Sequence, residues 1–193
     1  FFFFFLKKQH ATWQQAVVLT PMNRGTAGTQ RINQELQLIL NEKGAQGPTV
    51  SRFGQEFRVG DRVMQIRNNY DKYVFNGDIG FITAINTVDQ ELTVTFGERA
   101  LVYQYLELGE LVLAYAISVH KSQGSEFDVV IIPLFVQHFM LLQRNLIYTA
   151  ITRAKKFCVL AGQTRAIAMG VRNAKGNQRL TFLRQFLAGA LRV

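Results

Sequence analysis

The pattern of hydrophobic and polar positions divides the chain into buried strands, amphipathic helices and a β-rich middle section. Two short, uninterrupted apolar runs, residues 111–117 and 129–134, are rich in β-branched side chains. Such runs are typical of strands buried on both faces of a parallel sheet. Residues 16–20 and 157–161 have the same character. The pattern therefore predicts an α/β domain built on a parallel sheet.

Helical periodicity fills the spaces between these strands. Residues 29–41 and 140–156 carry apolar side chains at intervals of three and four, which predicts one helix in each segment. Two terminal helices are predicted at residues 164–171 and 178–192. In the first helix, the side chains expected to face the sheet are Ile32, Leu36, Ile39 and Leu40.

The pattern changes between residues 57 and 110. Short β-rich segments follow one another at intervals of roughly ten residues, separated by turn signals such as Asn-Gly-Asp. This rhythm is typical of a small antiparallel barrel. Because the α/β pattern resumes at Leu111, we predict that residues 57–110 are an insertion. Residues 1–56 and 111–193 would then form the domain that carries it.

A dense polar insert separates the two central apolar runs. Donors and acceptors left unpaired between core strands cost several kcal/mol, so we expect these side chains to project at a sheet edge towards a ligand. Ser118 is expected to cap a short helix, whose start would be a natural seat for a phosphate. An ordinary polar strand–helix–strand connection is the alternative. The insert contains Ser118, His120, Lys121, Ser122, Gln123, Gly124, Ser125 and Glu126.

Composition narrows the function classes. The formal net charge is +9 and the sequence pI is near 10.0, which favours a polyanionic partner, nucleic acid before a membrane surface. Solubilising charge alone is the alternative. Cys158 is the only cysteine, which excludes a disulfide framework, and we interpret it as a buried thiol in a reducing compartment. The histidines lack ligand spacing, so no metal site is predicted. No apolar run approaches about 18 residues, so we expect no membrane partner and a cytoplasmic location.

Three segments match one known family in the same order. They are PMNRG (residues 21–25), SVHKSQGSEFD (118–128) and QRNLIYTAITRAKK (143–156). The chain resembles the C-terminal half of RecD-type superfamily 1 DNA helicases, the group related to the exodeoxyribonuclease V alpha subunit. The resemblance extends from about Ala16 to the end of the chain and includes residues 58–80. It implies a second RecA-like motor domain with an inserted SH3-like barrel.

The resemblance also implies a nucleotide site, since such helicases close ATP between two RecA-like domains. Arg153 matches the arginine that reaches the γ-phosphate from across the cleft, where a planar guanidinium can stabilise the transition state. Arg24 matches a second γ-phosphate arginine. Gly124 and Glu126 match the segment that meets the nucleotide, with Glu126 at the ribose hydroxyls. Gln123 matches the position where the nucleotide and DNA sites communicate.

A DNA site is implied in the same way. Ser118, His120 and Lys121 match the side that faces single-stranded DNA and would contact backbone phosphates. A second group, in the barrel, could touch single-stranded DNA through phosphate contact and base stacking, or could serve only as turn chemistry. Both interpretations of that group are open. Its members are Arg67, Asn68, Asn69 and Tyr70.

The sequence departs from a complete motor in one respect. It contains neither a GxxxxGK[ST] phosphate loop nor an acidic magnesium-binding strand, and residues 25–31 (GTAGTQR) lack the required lysine. We therefore expect the main ligands of ATP and Mg²⁺ on an N-terminal RecA-like domain, and expect this chain alone to be inactive.

The function expected from the resemblance is 5′ to 3′ translocation on single-stranded DNA, driven by ATP, in DNA repair and recombination. Other subunits of a repair complex are further expected partners. The alternatives are a non-catalytic nucleic-acid-binding module and the helicase portion of a conjugative relaxase.

Overall fold

The computed structural model describes residues 11–173. The predicted helix at residues 178–192 lies outside these residues. The described part contains short 3₁₀ turns besides its strands and α-helices. In chain order the regular elements are β1 (Ala16–Thr20), α1 (Thr29–Leu40), β2 (Thr49–Arg52), β3 (Gln55–Arg58), β4 (Arg62–Gln65), β5 (Ile79–Asn86), β6 (Glu91–Phe96), β7 (Arg99–Gln104), β8 (Leu111–Leu113), β9 (Ala116–Ser118), β10 (Phe127–Leu134), α2 (Arg144–Ile151), β11 (Ala154–Gly162) and α3 (Thr164–Arg172).

Four strands form a parallel sheet in the order β11, β10, β1, β9. Every residue of β1 is buried, as expected for a central strand. Helix α1 packs on one face, against Val18 and Ile131, whereas α2 and α3 pack on the other, against Val17 and Leu19. The predicted α/β architecture, a parallel sheet flanked by helices, is confirmed.

Five strands form a separate antiparallel sheet in the order β7, β6, β5, β4, β8. Buried and partly exposed positions alternate along β6, so one face of this sheet is turned to a core. The β2–β3 hairpin contributes Val50 and Phe57 to that core. The barrel core therefore draws on residues from both sides of the range 57–110, and the exact domain division stays a prediction.

The pattern predicted one strand over residues 111–117, but the structure divides this run into two strands. Leu111–Leu113 pairs antiparallel with β4 in the barrel sheet, and Ala116–Ser118 pairs parallel with β1. Both pieces are largely buried, and an uninterrupted apolar run fits either sheet equally well. Periodicity alone could not show where the chain passes from one sheet to the other.

Helix α2 is also shorter than the predicted helix 140–156. It ends at Ile151, and β11 begins at Ala154, so Arg153 lies in the turn between them. The turn is closed by hydrogen bonds from the N–H groups of Thr152 and Arg153 to carbonyl oxygens in the last turn of α2. The early start of β11 places Lys155 and Lys156 in the strand.

Two apolar positions predicted to be buried are exposed. Cys158 lies on β11, an edge strand of the parallel sheet, and its side chain is accessible. Ile39 is 54% exposed because α1 turns Ile32 and Leu36 towards the sheet instead.

No helix within residues 11–173 is both long enough and apolar enough to span a membrane.

A buried carboxylate, Asp61, joins the barrel to the parallel-sheet domain. Its two oxygens accept hydrogen bonds from the side chains of Gln37 on α1 (2.6 Å) and of Asn41, the C-cap residue of that helix (2.7 Å). They also accept from the Tyr115 hydroxyl (2.8 Å) and the Arg58 backbone N–H (2.7 Å). Burial raises the pKa of the Asp61 carboxyl, and the four hydrogen bonds oppose that shift. The site thus ties helix α1, the start of β4 and the strand connection at Tyr115 together.

Helix α1 carries a further amide on the same face. The Asn33 side chain donates to the carbonyl oxygen of Ala116 and accepts from its N–H, both at 2.8 Å. It therefore occupies the backbone groups that a neighbouring strand would bind at the β9 edge. Asn33, Gln37 and Asn41 are all buried and are spaced by four residues, so they form one amide stripe along α1.

Replacing Asp61 by Asn should destabilise the fold. The amide has one acceptor oxygen instead of two and brings an N–H₂ group against donors. We expect the free energy of unfolding to fall by about 2–4 kcal/mol. For a chain of this size, the melting temperature should fall by roughly 5–15 °C. Thermal denaturation followed by circular dichroism measures both. Asp71→Asn, at an exposed barrel carboxylate, is the matched control. Equal midpoints for the two variants would contradict the assigned role of Asp61.

Candidate nucleotide and nucleic-acid site

The polar insert connects the carboxyl ends of the strands of the parallel sheet to their amino ends. We call these two sides of the sheet the carboxyl edge and the amino edge. The insert leaves the carboxyl end of β9 at Ser118 and enters the amino end of β10 at Phe127. Thr20 is opposite Ser118, and Ala16 is opposite Val129. At about 3.3 Å per residue, this register separates Ser118 from Phe127 by roughly 20 Å along the strands. We call residues 119–126 the crossover.

The crossover consists of consecutive turns, not the short helix expected after Ser118. Its N–H groups bond mainly to carbonyl oxygens three residues earlier, as in the pair Gln123 to His120. The Ser118 hydroxyl does accept the backbone N–H of Lys121 at 3.3 Å, so the expected capping contact exists without a helix. Gly124 has a φ of +86°, which other residues rarely adopt, and here the chain turns towards the amino edge.

Arg153 lies at the amino edge and contacts the end of the crossover. Its Nη1 donates to the Ser125 carbonyl oxygen at 3.2 Å, and its Nε donates to the Thr149 carbonyl oxygen at 3.3 Å. Nη2 donates to the Thr152 hydroxyl at 3.3 Å. The two remaining N–H groups of the guanidinium have no partner among the described residues. The side chain is therefore held in place while keeping donors for an anion.

Two ion pairs link the start of β11 to the end of the crossover and to β10. Glu126 pairs with Lys155 at 3.6 Å, and Asp128 pairs with Lys156 at 2.9 Å. The hydrogen bond from Lys156 holds the pKa of Asp128 below its usual range. Sequence reasoning missed both lysines as site residues because it placed them at the end of a helix. Glu126 and Arg153 thus lie at the same edge, with Gly124 two residues before Glu126 in the crossover.

The residues predicted to face DNA line two different surfaces near the carboxyl edge. Ser118 and Lys121 line a groove of about 600 Å³ between α1, the β2–β3 hairpin and the ends of β8 and β9. His120 and Gln123 line a smaller cleft of about 240 Å³ beside α2, together with Thr149. Burial lowers the pKa of the Lys121 ammonium. Two of the three predicted phosphate contacts therefore share one surface and the third faces another.

The structure does not bring Arg24 and Arg153 together. Arg24 is exposed in the loop after the carboxyl end of β1, and Arg153 precedes the amino end of β11. The two strands concerned, β1 and β11, are five and nine residues long, so the edges are at least about 16 Å apart. A single phosphate within this domain cannot contact both side chains in that arrangement. The assignment of Arg24 to the γ-phosphate stays a prediction.

The barrel loop 67–70 divides into structural and accessible residues. Asn69 accepts the Lys72 N–H at 3.1 Å and donates to Glu110 at 3.3 Å, and its backbone pairs with Val74. Asn68 accepts the Asn76 N–H at 2.9 Å. These contacts identify both asparagines as turn-forming residues. The other two members of the group, Arg67 and Tyr70, have exposed side chains.

Two family models match the chain, over two separate ranges. Residues 32–96 match the ATP-dependent RecD-like DNA helicase SH3 domain, and residues 113–161 match the UvrD-like helicase C-terminal domain. The second match contains β9, the crossover, α2 and nearly all of β11. These matches define the class of protein as a superfamily 1 helicase motor domain with an inserted SH3-like barrel.

Curated relatives specify the family. The chain is 38% identical over 149 residues to the ATP-dependent RecD2 DNA helicase of Deinococcus radiodurans, covering 77% of this chain and 20% of that protein. It is 32% identical over 138 residues to the RecBCD enzyme subunit RecD of Haemophilus influenzae, covering 72% and 20%. The chain spans about a fifth of the length of each. It belongs to the RecD-type helicases and corresponds to their C-terminal part.

Solved structures support the fold assignment. Pif1 helicases bound at forked double-stranded DNA superpose with a TM-score of 0.60 at 22% identity, covering 93% of this chain and 46% of theirs. Bacteroides Pif1 bound to single-stranded DNA gives a TM-score of 0.57 at 20% identity, with 91% and 46% covered. At these identities the likeness establishes the common fold.

The barrel loop yields a test that separates structure from binding. Asn69→Ala removes two hydrogen bonds and leaves the Lys72 N–H without its acceptor. We therefore expect a loss of about 1–2 kcal/mol in unfolding free energy. Arg67→Ala removes an exposed side chain and should change stability by less than about 0.5 kcal/mol. Urea denaturation of the two variants measures the difference. An unchanged midpoint for Asn69→Ala would show that its side chain does not hold the turn.

Proposed function

We propose that this chain is the second motor domain of an ATP-dependent DNA helicase that moves 5′ to 3′ on single-stranded DNA. ATP would bind between the amino edge of the parallel sheet and a first RecA-like domain. Single-stranded DNA would lie along the carboxyl edge. The names of the relatives support a helicase, and the direction of travel rests on the family resemblance alone.

The observation that carries this proposal is the crossover. Its Lys121 lines the groove beside Ser118, and its Ser125 carbonyl oxygen accepts a hydrogen bond from Arg153 at the opposite edge, roughly 20 Å away along the strands. A change at the nucleotide would therefore act on the DNA contacts through a single short segment of covalent chain. A module that only bound nucleic acid would not need Arg153 and Glu126 at the opposite edge.

On the nucleotide side, Arg153 would place its two free N–H groups on the γ-phosphate and stabilise charge as the phosphoryl group transfers. Its bonds to Ser125 and Thr149 would fix the orientation of the guanidinium beforehand. Glu126 would accept hydrogen bonds from the ribose hydroxyls. Because Lys155 is paired with Glu126, ribose binding would rearrange that ion pair.

On the DNA side, Lys121 would neutralise a backbone phosphate and the Ser118 hydroxyl would donate to a neighbouring one. Within residues 11–173 there is no cluster of His, Cys, Asp or Glu side chains that could hold a metal ion. The Mg²⁺ that accompanies ATP would be bound by the first RecA-like domain, which would also supply the phosphate loop. We accordingly propose that this chain alone does not hydrolyse ATP.

The proposed partners are single-stranded DNA, the first RecA-like domain and other subunits of a repair complex. The last of these is supported by the Haemophilus influenzae relative, which is named as a subunit of the RecBCD enzyme.

Arg153→Ala in the full-length helicase should lower the rate of ATP hydrolysis by about 10³-fold or more, because the γ-phosphate loses its guanidinium. Binding of single-stranded DNA should change little, since Arg153 lies at the opposite edge. A coupled ATPase assay at saturating DNA gives the turnover, and fluorescence anisotropy gives the affinity.

Arg165→Ala, at an exposed arginine on α3, is the matched control and should retain normal turnover. Arg153→Lys keeps the charge but loses the planar fork, so we expect it to remain strongly impaired. Turnover of Arg153→Ala within a few-fold of the parent would refute the γ-phosphate role and favour the binding-module alternative.

The isolated chain should bind oligo-dT weakly and in a salt-dependent manner. If about three phosphates are neutralised, the logarithm of affinity should fall against the logarithm of salt concentration with a slope near −2. Lys121→Ala should reduce that slope by about 0.7, whereas Lys43→Ala, at an exposed lysine beyond the end of α1, should not. Anisotropy titrations at several salt concentrations measure the slopes. Affinity independent of salt would contradict a phosphate-binding surface.

A further inference from the structure

The tip of the β2–β3 hairpin holds an aromatic residue in an unfavourable backbone conformation. Arg52 pairs with Gln55, and the two residues between them form the turn. Phe53 has a φ of +52° and Gly54 a φ of +75°, so both lie in the left-handed region. Two-residue turns of this kind favour Asn-Gly because asparagine tolerates the left-handed conformation. Phenylalanine does not tolerate this conformation well, so turn formation does not explain why it occurs here.

Burial does not explain its presence either. Phe53 is 65% exposed, with one side of its ring beside Gly109. The barrel core contains Val50 and Phe57 from the same hairpin but not Phe53. A residue that is strained in its backbone and mostly open to solvent contributes little to folding. Such outliers concentrate at sites that bind ligands.

Phe53 stands on the wall of the groove that contains Ser118 and Lys121. The opposite wall is the polar face of α1, including Gln30 and Gln34. Arg52 and Lys121 supply positive charge, and Glu56, the carboxylate in the lining, is already paired with Arg58 at 2.6 Å. The groove therefore combines cations, amide groups and one exposed aromatic ring.

We propose that Phe53 stacks on a base of single-stranded DNA held in this groove. The proposal rests on the proposed function, in which Ser118 and Lys121 contact backbone phosphates. Exposed aromatic rings beside cationic side chains are the usual means of binding single strands without reading their sequence. The β2–β3 hairpin would thus extend the DNA site from the parallel sheet to the barrel.

The test uses Phe53→Asn in the 193-residue chain. Asparagine suits the left-handed turn, so the melting temperature should stay the same or rise. Loss of the stacking ring should weaken binding of a fluorescent oligo-dT 15-mer by about tenfold. Weaker binding without any loss of stability is expected only if the ring serves the ligand. Gln90→Asn relieves the same kind of backbone strain at a barrel turn away from the groove and should leave affinity unchanged.

Phe53→Trp gives an independent readout. It should retain the affinity of the parent within about threefold, and oligo-dT should quench the added fluorescence beyond the change seen with Trp13 alone. Unchanged affinity for Phe53→Asn, with reduced affinity for Lys121→Ala, would overturn the stacking proposal and leave the DNA site standing. If neither substitution changed affinity, or if the parent chain did not bind oligo-dT, both the DNA site in the groove and the proposed function would be contradicted.

Discussion

The Asp61 carboxylate is the interaction on which the arrangement of the two units depends. A buried negative charge is tolerated only when donors surround it, and here the donors come from α1, from the Tyr115 connection and from the barrel itself. Because these donors belong to different units, satisfying the charge fixes how the barrel sits on the sheet. The groove between α1 and the hairpin has its width set by the same contacts, since Gln37 also donates to the Glu56 carbonyl oxygen.

The two edges of the sheet serve different ligands in the proposed motor, and the crossover is the covalent link between them. It contains no regular secondary structure, so its shape depends on a few hydrogen bonds and on Gly124. A short segment held in this way can shift without unfolding a strand or a helix. The rigid parts, namely the buried β1 and the barrel, provide the frame against which such a shift would be transmitted.

Uninterrupted apolar runs made the parallel sheet predictable, and turn spacing made the barrel predictable. The division of residues 111–117 between two sheets could not be predicted, because a buried strand has the same uninterrupted apolar sequence in either sheet. The site at Arg153 was located by motif, but its position in a turn depends on where α2 ends, which tertiary contacts decide. The amide stripe at Asn33, Gln37 and Asn41 was visible as a spacing of four. It was overlooked because polar side chains on a helix are ordinarily assigned to solvent.

Asn33 closes the β9 edge of the sheet with a side chain where another strand could otherwise add. An edge strand with free N–H and C=O groups is a template for aggregation, and natural proteins protect such edges by varied means. Here the side-chain amide of Asn33 supplies the donor and the acceptor that the backbone of a neighbouring strand would supply. The same helix also carries the residues that bind Asp61, so withdrawing α1 would expose the edge and release the barrel at once. Partial opening is thereby discouraged, and the chain gains cooperativity from a single helical face.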